Sequence, residues 1–345
     1  MRSNEIHLIS NFRALDRVLP AGRAVKFEHV PDFKGLHGAW GFVRQCARAD
    51  VVVLNIDQQK LMLACLLRWV CPWLRFKLVS VDLIMRSPKT AAGHLKALLK
   101  RVLFSRVNRF ILYFKNLDGY ERFYGIGPDR AVYVPFKVNG WERLAAREGD
   151  LPDGDYVLCS GRTLRDIETF VEAMRRVDCP GVLLQQRREL LDAHGTAAWS
   201  GDLPPNVRLV IDDSDSLEKY IDFISRARLM VIPRYRGDIA PTGISTYLVA
   251  MALRKCVIIS EGPGAGDVLS DQAVIVPPED PARLAESIEL MWGDDRLRSE
   301  MAARGSRYAQ SLEGEDRLFA DILRLSLLTL EDGHGGFEKK GDLAG

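Results

Sequence analysis

The sequence predicts an α/β protein made of two doubly wound parallel-sheet domains facing a cleft, on three observations. Short apolar runs alternate with amphipathic stretches of helical period, the pattern of strands joined by crossover helices. The chain has 345 residues, long for one compact domain. A polar stretch, GWERLAAREGDLPDGD at residues 140–155, separates two halves in which the alternation restarts.

In the first half, strands are expected at Ile6–Ser10, Val51–Asn55, Leu78–Val81 and Phe110–Tyr113. In the second, the order is a strand at Tyr156–Ser160, a helix over Ile167–Val177, strands at Gly181–Leu184 and Val207–Ile211, and a helix over Leu217–Ser225. A strand at Leu229–Ile232, a helix after Gly243, and strands at Val257–Ser260 and Ala273–Val276 follow. Helices over Pro281–Met291, Asp295–Gln310 and Glu315–Leu330 end the pattern. The expected division is therefore a first domain at 1–140, a linker at 141–155, a second domain at 156–314, a C-terminal helix at 315–330 and a disordered tail at 331–345, where little apolar surface is available to bury.

Composition is that of a globular protein, 47% hydrophobic and 27% charged. The six cysteines contain no C-x-x-C pair, which argues against a zinc site or disulfide framework and for reduced, mostly buried thiols. The start, MRSNEIHLIS, lacks the charged-then-apolar layout of a signal peptide, so a cytoplasmic protein is expected. Net charge is only +2, but residues 1–140 hold 23 Lys+Arg against 10 Asp+Glu, or +13, and the remaining 25 against 36 give −11. A basic half attracts nucleic acid, anionic lipid or an anionic substrate. Nucleic acid is disfavoured because the basic residues lack aromatic interleaving or a recognisable motif.

The stretch GDIAPTGISTYLVAMALRKCVIIS, residues 237–260, puts a small polar turn directly before a helix. Unpaired first-turn N–H groups and the helix dipole favour an anion there; Gly243 permits close approach, and Thr242, Ser245 and Thr246 add hydroxyls. The competing reading is that Thr242 or Ser245 simply caps the helix.

Ligands of open parallel sheets bind beyond the carboxyl ends of the strands. Three second-half loops lie there: GRTLRDIETFVEA, PTGISTYLVAMALRK and EGPGAGDVLSDQAVIVPPEDPARLAESI. In this order and spacing they resemble the nucleotide-sugar half of a GT-B glycosyltransferase of the broad kind grouped in family four (glycosyl transferases group 1), over about residues 155–310. The resemblance implies two Rossmann-like domains and a metal-independent, hexosyltransferase-type enzyme. It also implies a nucleoside-diphosphate sugar as donor, with no separate cofactor. Arg162 matches the diphosphate clamp, and Arg165 lies near a second cation's place. Gly243, Ser245 and Thr246 match the phosphate-facing helix start, beside Thr242, and Asp267 stands where a carboxylate is often found near the ligand loop. One departure is that the two glutamates many members carry eight positions apart are Pro241 and Val249 here. Asp238 is the nearest carboxylate to take the sugar-facing place.

Asp213-Ser214-Asp215 also has the D-x-D form of a metal-binding pair, but Asp212–Ser216 reads better as a helix-capping cluster, so no metal site is expected. For a catalytic base, Asp82 and Asp57 each follow an apolar strand of the first domain and would face the cleft. The acceptor is expected to be a glycan or lipid-linked molecule. Segment 61–76 is apolar, but too short and too interrupted to span a bilayer. Segment 94–104 puts Leu95, Leu98, Leu99 and Val102 on one side and Lys96, Lys100, Arg101 and Phe104 towards another. That pattern suits either an ordinary core-facing helix or one lying on the anionic inner face of a membrane. Two alternatives stand beside the transferase: a noncatalytic GT-B-like binding protein, and a UDP-sugar 2-epimerase on the same architecture.

Overall fold

The structure, a computed structural model, describes residues 5–20, 24–32, 35–145, 154–161, 163–194, 196–214, 216–312 and 314–331. The strands are β1 (Ile6–Ser10), β2 (Val25–His29), β3 (Val51–Asn55), β4 (Lys77–Val81), β5 (Arg109–Leu112), β6 (Ala131–Tyr133), β7 (Tyr156–Ser160), β8 (Gly181–Gln185), β9 (Val207–Ile211), β10 (Ala227–Ile232), β11 (Cys256–Ser260) and β12 (Val274–Val276). They form two parallel six-stranded sheets, ordered β2-β1-β3-β4-β5-β6 and β12-β11-β10-β7-β8-β9. Both are doubly wound orders, the first with its reversal between β1 and β3 and the second between β7 and β10.

Both sheets are covered on both faces, and the period of two in each strand sorts side chains between the layers. Val52 and Leu54 point into a core with Phe42, Cys65 and Phe104 from the helices Gly35–Arg48, Gln58–Val70 and Ala91–Phe104. Val51 and Val53 point the other way, towards Leu318, Phe319 and Ile322. Those last residues lie on the helix Glu315–Leu328, which follows the second sheet in sequence yet packs back on the first. The Arg109 guanidinium donates to the carbonyl of Leu325 at 3.0 Å, and Arg17 pairs with Asp316 at 2.8 Å.

Two strands carry no clear signal in the sequence. β2 is a half-exposed edge strand of mixed polarity, VKFEH, and β6 has only three residues, so neither presents an apolar run. The cysteines are free, and burial pushes five of the thiols up, Cys46, Cys65, Cys159 and Cys256 to about 12. Residues 146–153 of the expected linker and 332–345 of the expected tail lie outside the described residues.

The halves touch directly. Asp267 accepts from the backbone N–H groups of Lys115 and Asn116, both at 2.7 Å, and from Gly264 at 2.7 Å. Ser87 donates to the carbonyl of Gly237 at 3.0 Å, and Ile239 packs into the first domain's core beside Gly119. Asp267→Ala removes three charge-assisted bonds and is expected to lower stability by about 2 kcal/mol and loosen the closed arrangement. Small-angle scattering should then give a larger radius of gyration than for the wild-type protein.

Candidate functional site

The reversal between β7 and β10 sends the loops after these strands apart and leaves a crevice at their carboxyl ends. That crevice opens into a cleft of about 460 Å³. The second domain lines it with Ser160, Arg165 and the turn Pro241–Thr246; Asp82, Tyr113 and Asn139 close it from the other side.

Arg165 is fully buried and meets no carboxylate among the described residues. Its guanidinium donates to the carbonyls of Ser160 (3.0 Å) and Thr163 (2.9 Å) and to the hydroxyl of Thr246 (3.2 Å). Burial pulls its pKa down from the usual guanidinium value. A buried cation held only by neutral oxygens at a cleft wall is a receptor for an anion. The close approach depends on Gly161, whose φ is +127° and where an added Cβ would lie 2.4 Å from the guanidinium.

Gly243 stands at the N-cap of the helix Ile244–Ala252 with φ +89°, and no side chain caps that helix. The simple capping role for Thr242 or Ser245 is therefore not what the fold uses. Thr242 is 97% buried and its hydroxyl has no hydrogen-bond partner among the described residues; Ser245 accepts from the amide of Asn139 at 2.7 Å. Open first-turn N–H groups, an unpaired hydroxyl and a buried arginine thus converge on one wall.

Asp82 follows β4 in the left-handed region, φ +51°, anchored by its N–H to the carbonyl of Ile111 at 3.0 Å. Burial raises its carboxyl to about 7, within the range where a general base exchanges protons at neutral pH.

The structure does not bring every expected residue into the cleft. Asp57 caps the helix Gln58–Val70 and pairs with Lys60 at 2.5 Å, away from the cleft lining. Asp238 accepts from the N–H of Ala240 at 3.0 Å within its own loop, and Asp267 is used in the contact between domains. Pro241 and Val249 do line the cleft. Arg162 and Asp215 lie outside the described residues. Asp213 is exposed near Arg187, and Ser216 caps the helix Leu217–Ser225. On segment 94–104, Phe104 is buried in the core rather than on the basic side, because it fills the space beside Phe110.

Sequence reasoning missed two residues. Asn139 orients Ser245 from the connection after β6. Arg234, fully buried, donates to the carbonyls of Pro263 (2.8 Å) and Ala240 (3.0 Å), tying together the two loops beside the turn; burial lowers its pKa to about 10. Its place two residues past the end of β10 was the available signal.

Residues 200–308 match the model of the family Glycosyl transferases group 1. By sequence, no curated protein matches the chain. Among solved structures, a glycosyltransferase from Rickettsia africae ESF-5 superposes with TM-score 0.62 at 14% identity, over 96% of this chain and 100% of that one. The sucrose-phosphate synthase of Thermosynechococcus elongatus gives 0.65 at 16% identity, over 95% and 99%. Anabaena Alr3699/HepE, solved in complex with UDP, gives 0.61 at 12%, over 94% and 99%. At these identities the likeness establishes the architecture. The two-sheet architecture of the described residues is that of the GT-B glycosyltransferases, and the stretch similar to the glycosyl transferases group 1 model lies within its second half.

Proposed function

We propose that the cleft binds a nucleoside-diphosphate sugar and that the enzyme transfers its sugar to an acceptor hydroxyl, on a lipid-linked or cell-envelope glycan. The observation that carries this reading is the pairing of Arg165, buried without a carboxylate, with the unpartnered Thr242 hydroxyl at an uncapped helix start. In the bound state the diphosphate lies against the helix N-terminus. Arg165 and the helix dipole offset its charge, so that no metal is required. Asp82 takes the proton of the acceptor hydroxyl from the opposite wall. Complexes of Anabaena Alr3699/HepE with UDP and with UDP-glucose support UDP as the first nucleotide to try.

A thermal-shift panel of UDP, GDP, ADP, TDP and CMP, with magnesium or with EDTA, tests the donor site. One nucleoside diphosphate is expected to raise the melting temperature, and to do so equally in EDTA. No shift from any of them would overturn the donor assignment.

Thr242→Val sharpens the test because its two effects have opposite signs. Removing a buried, unpartnered hydroxyl relieves a desolvation penalty, so the ligand-free variant is expected to melt higher than wild type. The same change removes a phosphate donor, and affinity for the nucleotide should fall about fivefold to tenfold. Titration calorimetry on both proteins measures the second effect.

A second reading, a noncatalytic sugar-nucleotide binder, draws on Pro241 and Val249, neither of which can hydrogen-bond a sugar or ribose through its side chain. Turnover of the identified donor, by hydrolysis or transfer, separates an enzyme from a binder.

A further inference from the structure

We propose that the first domain docks on an anionic bilayer through two neighbouring apolar ridges on its helical face. This surface is separate from the donor cleft, and its test is independent of the transferase reading.

On the helix Ala91–Phe104, Ala97 and Phe104 face the core, while Leu95, Leu98, Leu99 and Val102 are 48–60% exposed. On the helix Gln58–Val70, Leu61, Ala64 and Cys65 face the core, while Leu66, Trp69 and Val70 are exposed; Trp73, in the turn beyond, is 71% exposed. The first set follows the i, i+3, i+4, i+7 spacing of a single helix face, and in the second Leu66, Trp69 and Val70 share one face that Trp73 extends beyond the helix end. The sets adjoin: the indole N–H of Trp69 donates to the carbonyl of Val102 at 3.3 Å, and the Arg106 guanidinium lies 4.0 Å from the Trp69 ring centroid. Eight large apolar side chains on one outward face are far more than a water-facing surface ordinarily groups together.

Charge identifies the occupant. Residues 58–106 contain ten Lys or Arg and one carboxylate, Asp82, which belongs to the cleft. Lys96 and Arg101 are exposed beside the leucine ridge, and Arg75 beside Trp73. A second copy of the chain would set this positive rim against itself with no acid to pair, which opposes self-association. A bilayer meets all three features. Leucines enter the acyl boundary, tryptophans sit at headgroup depth, and lysines and arginines meet anionic headgroups. The helix Ala91–Phe104 has 14 residues, and no helix among the described residues is long and apolar enough to cross a membrane, so the contact lies in the interfacial plane.

The test sediments the full chain with vesicles of phosphatidylcholine alone and of phosphatidylcholine mixed with phosphatidylglycerol. Wild-type protein is expected to pellet with the anionic vesicles and to be released by salt. Leu98→Ser with Leu99→Ser, and separately Trp73→Ser, should each lower the partition coefficient about tenfold; Lys96→Glu with Arg101→Glu should do so by a similar factor. These positions are exposed, so unchanged melting curves should confirm that the variants are folded. Wild-type protein left in the supernatant, or variants that pellet as well as wild type, would overturn the proposal. So would a concentration-dependent dimer, seen by analytical ultracentrifugation, that the leucine substitutions abolish while vesicle binding persists.

Discussion

Asp82→Asn is expected to lower the rate of sugar transfer about a thousandfold while leaving nucleotide affinity unchanged, the magnitude typical of losing a positioned general base. Asparagine suits the test because it tolerates the left-handed backbone that Asp82 occupies, φ +51°, and keeps the shape of the side chain. Burial also makes the substitution informative about stability. The carboxyl is raised to about 7, so ionising it costs more in the folded protein than in the unfolded chain. Below about pH 3 it is largely protonated in both states and the cost is small. As the pH climbs to about 7 the unfolded chain ionises first, and wild-type stability falls. The asparagine variant escapes that loss. Its advantage should open between about pH 4 and 7 and level off above, at roughly 4 kcal/mol. Transfer by the wild-type enzyme should decline below pH 7 as Asp82 gains a proton. Denaturation curves and rates across this range check both. If rate and pH profile survive the substitution, Asp82 is a wall residue and not the base.

The second large effect is expected at Arg165. Arg165→Met strips the donor from the carbonyls of Ser160 and Thr163 and from the Thr246 hydroxyl, all inside the fold. Stability should drop by about 3 kcal/mol, read by urea denaturation. Affinity for the nucleoside diphosphate should weaken about a hundredfold in calorimetry, since a charge-assisted and geometrically matched contact is lost. Arg165→Lys should fall between the two, because an ammonium keeps the charge without the planar fork. A variant that loses stability but binds nucleotide as well as wild type would make Arg165 a loop brace only.

The two aspartates show why the candidate site was only partly legible. Asp57 and Asp82 look alike in sequence, each just past an apolar strand. Asp57 precedes a helix whose first turn offers the N–H of Lys60, and the Lys60 ammonium reaches it as well, so local forces consume it. Asp82 has no helix directly behind it and stays in the cleft. Asp267 looked like a ligand-loop carboxylate, but besides Gly264 it accepts from two backbone N–H groups of the other domain, 151 and 152 positions away in sequence.

The sequence by itself determined the α/β class, most strands of both sheets, the uncommon turn before the helix at Ile244 and the concentration of positive charge in the first half. Each of these is a matter of composition, period or residues within one turn of helix, and such signals do not need the rest of the chain. Tertiary structure decided which polar groups share a cleft, because Arg165 and Thr246 are 81 residues apart and meet only when β7 and β10 pair. It also decided which side of the helix Ala91–Phe104 faces the core. Ala97 and Phe104 fill the space over the sheet, so the leucine row that periodicity alone would have buried turns outward.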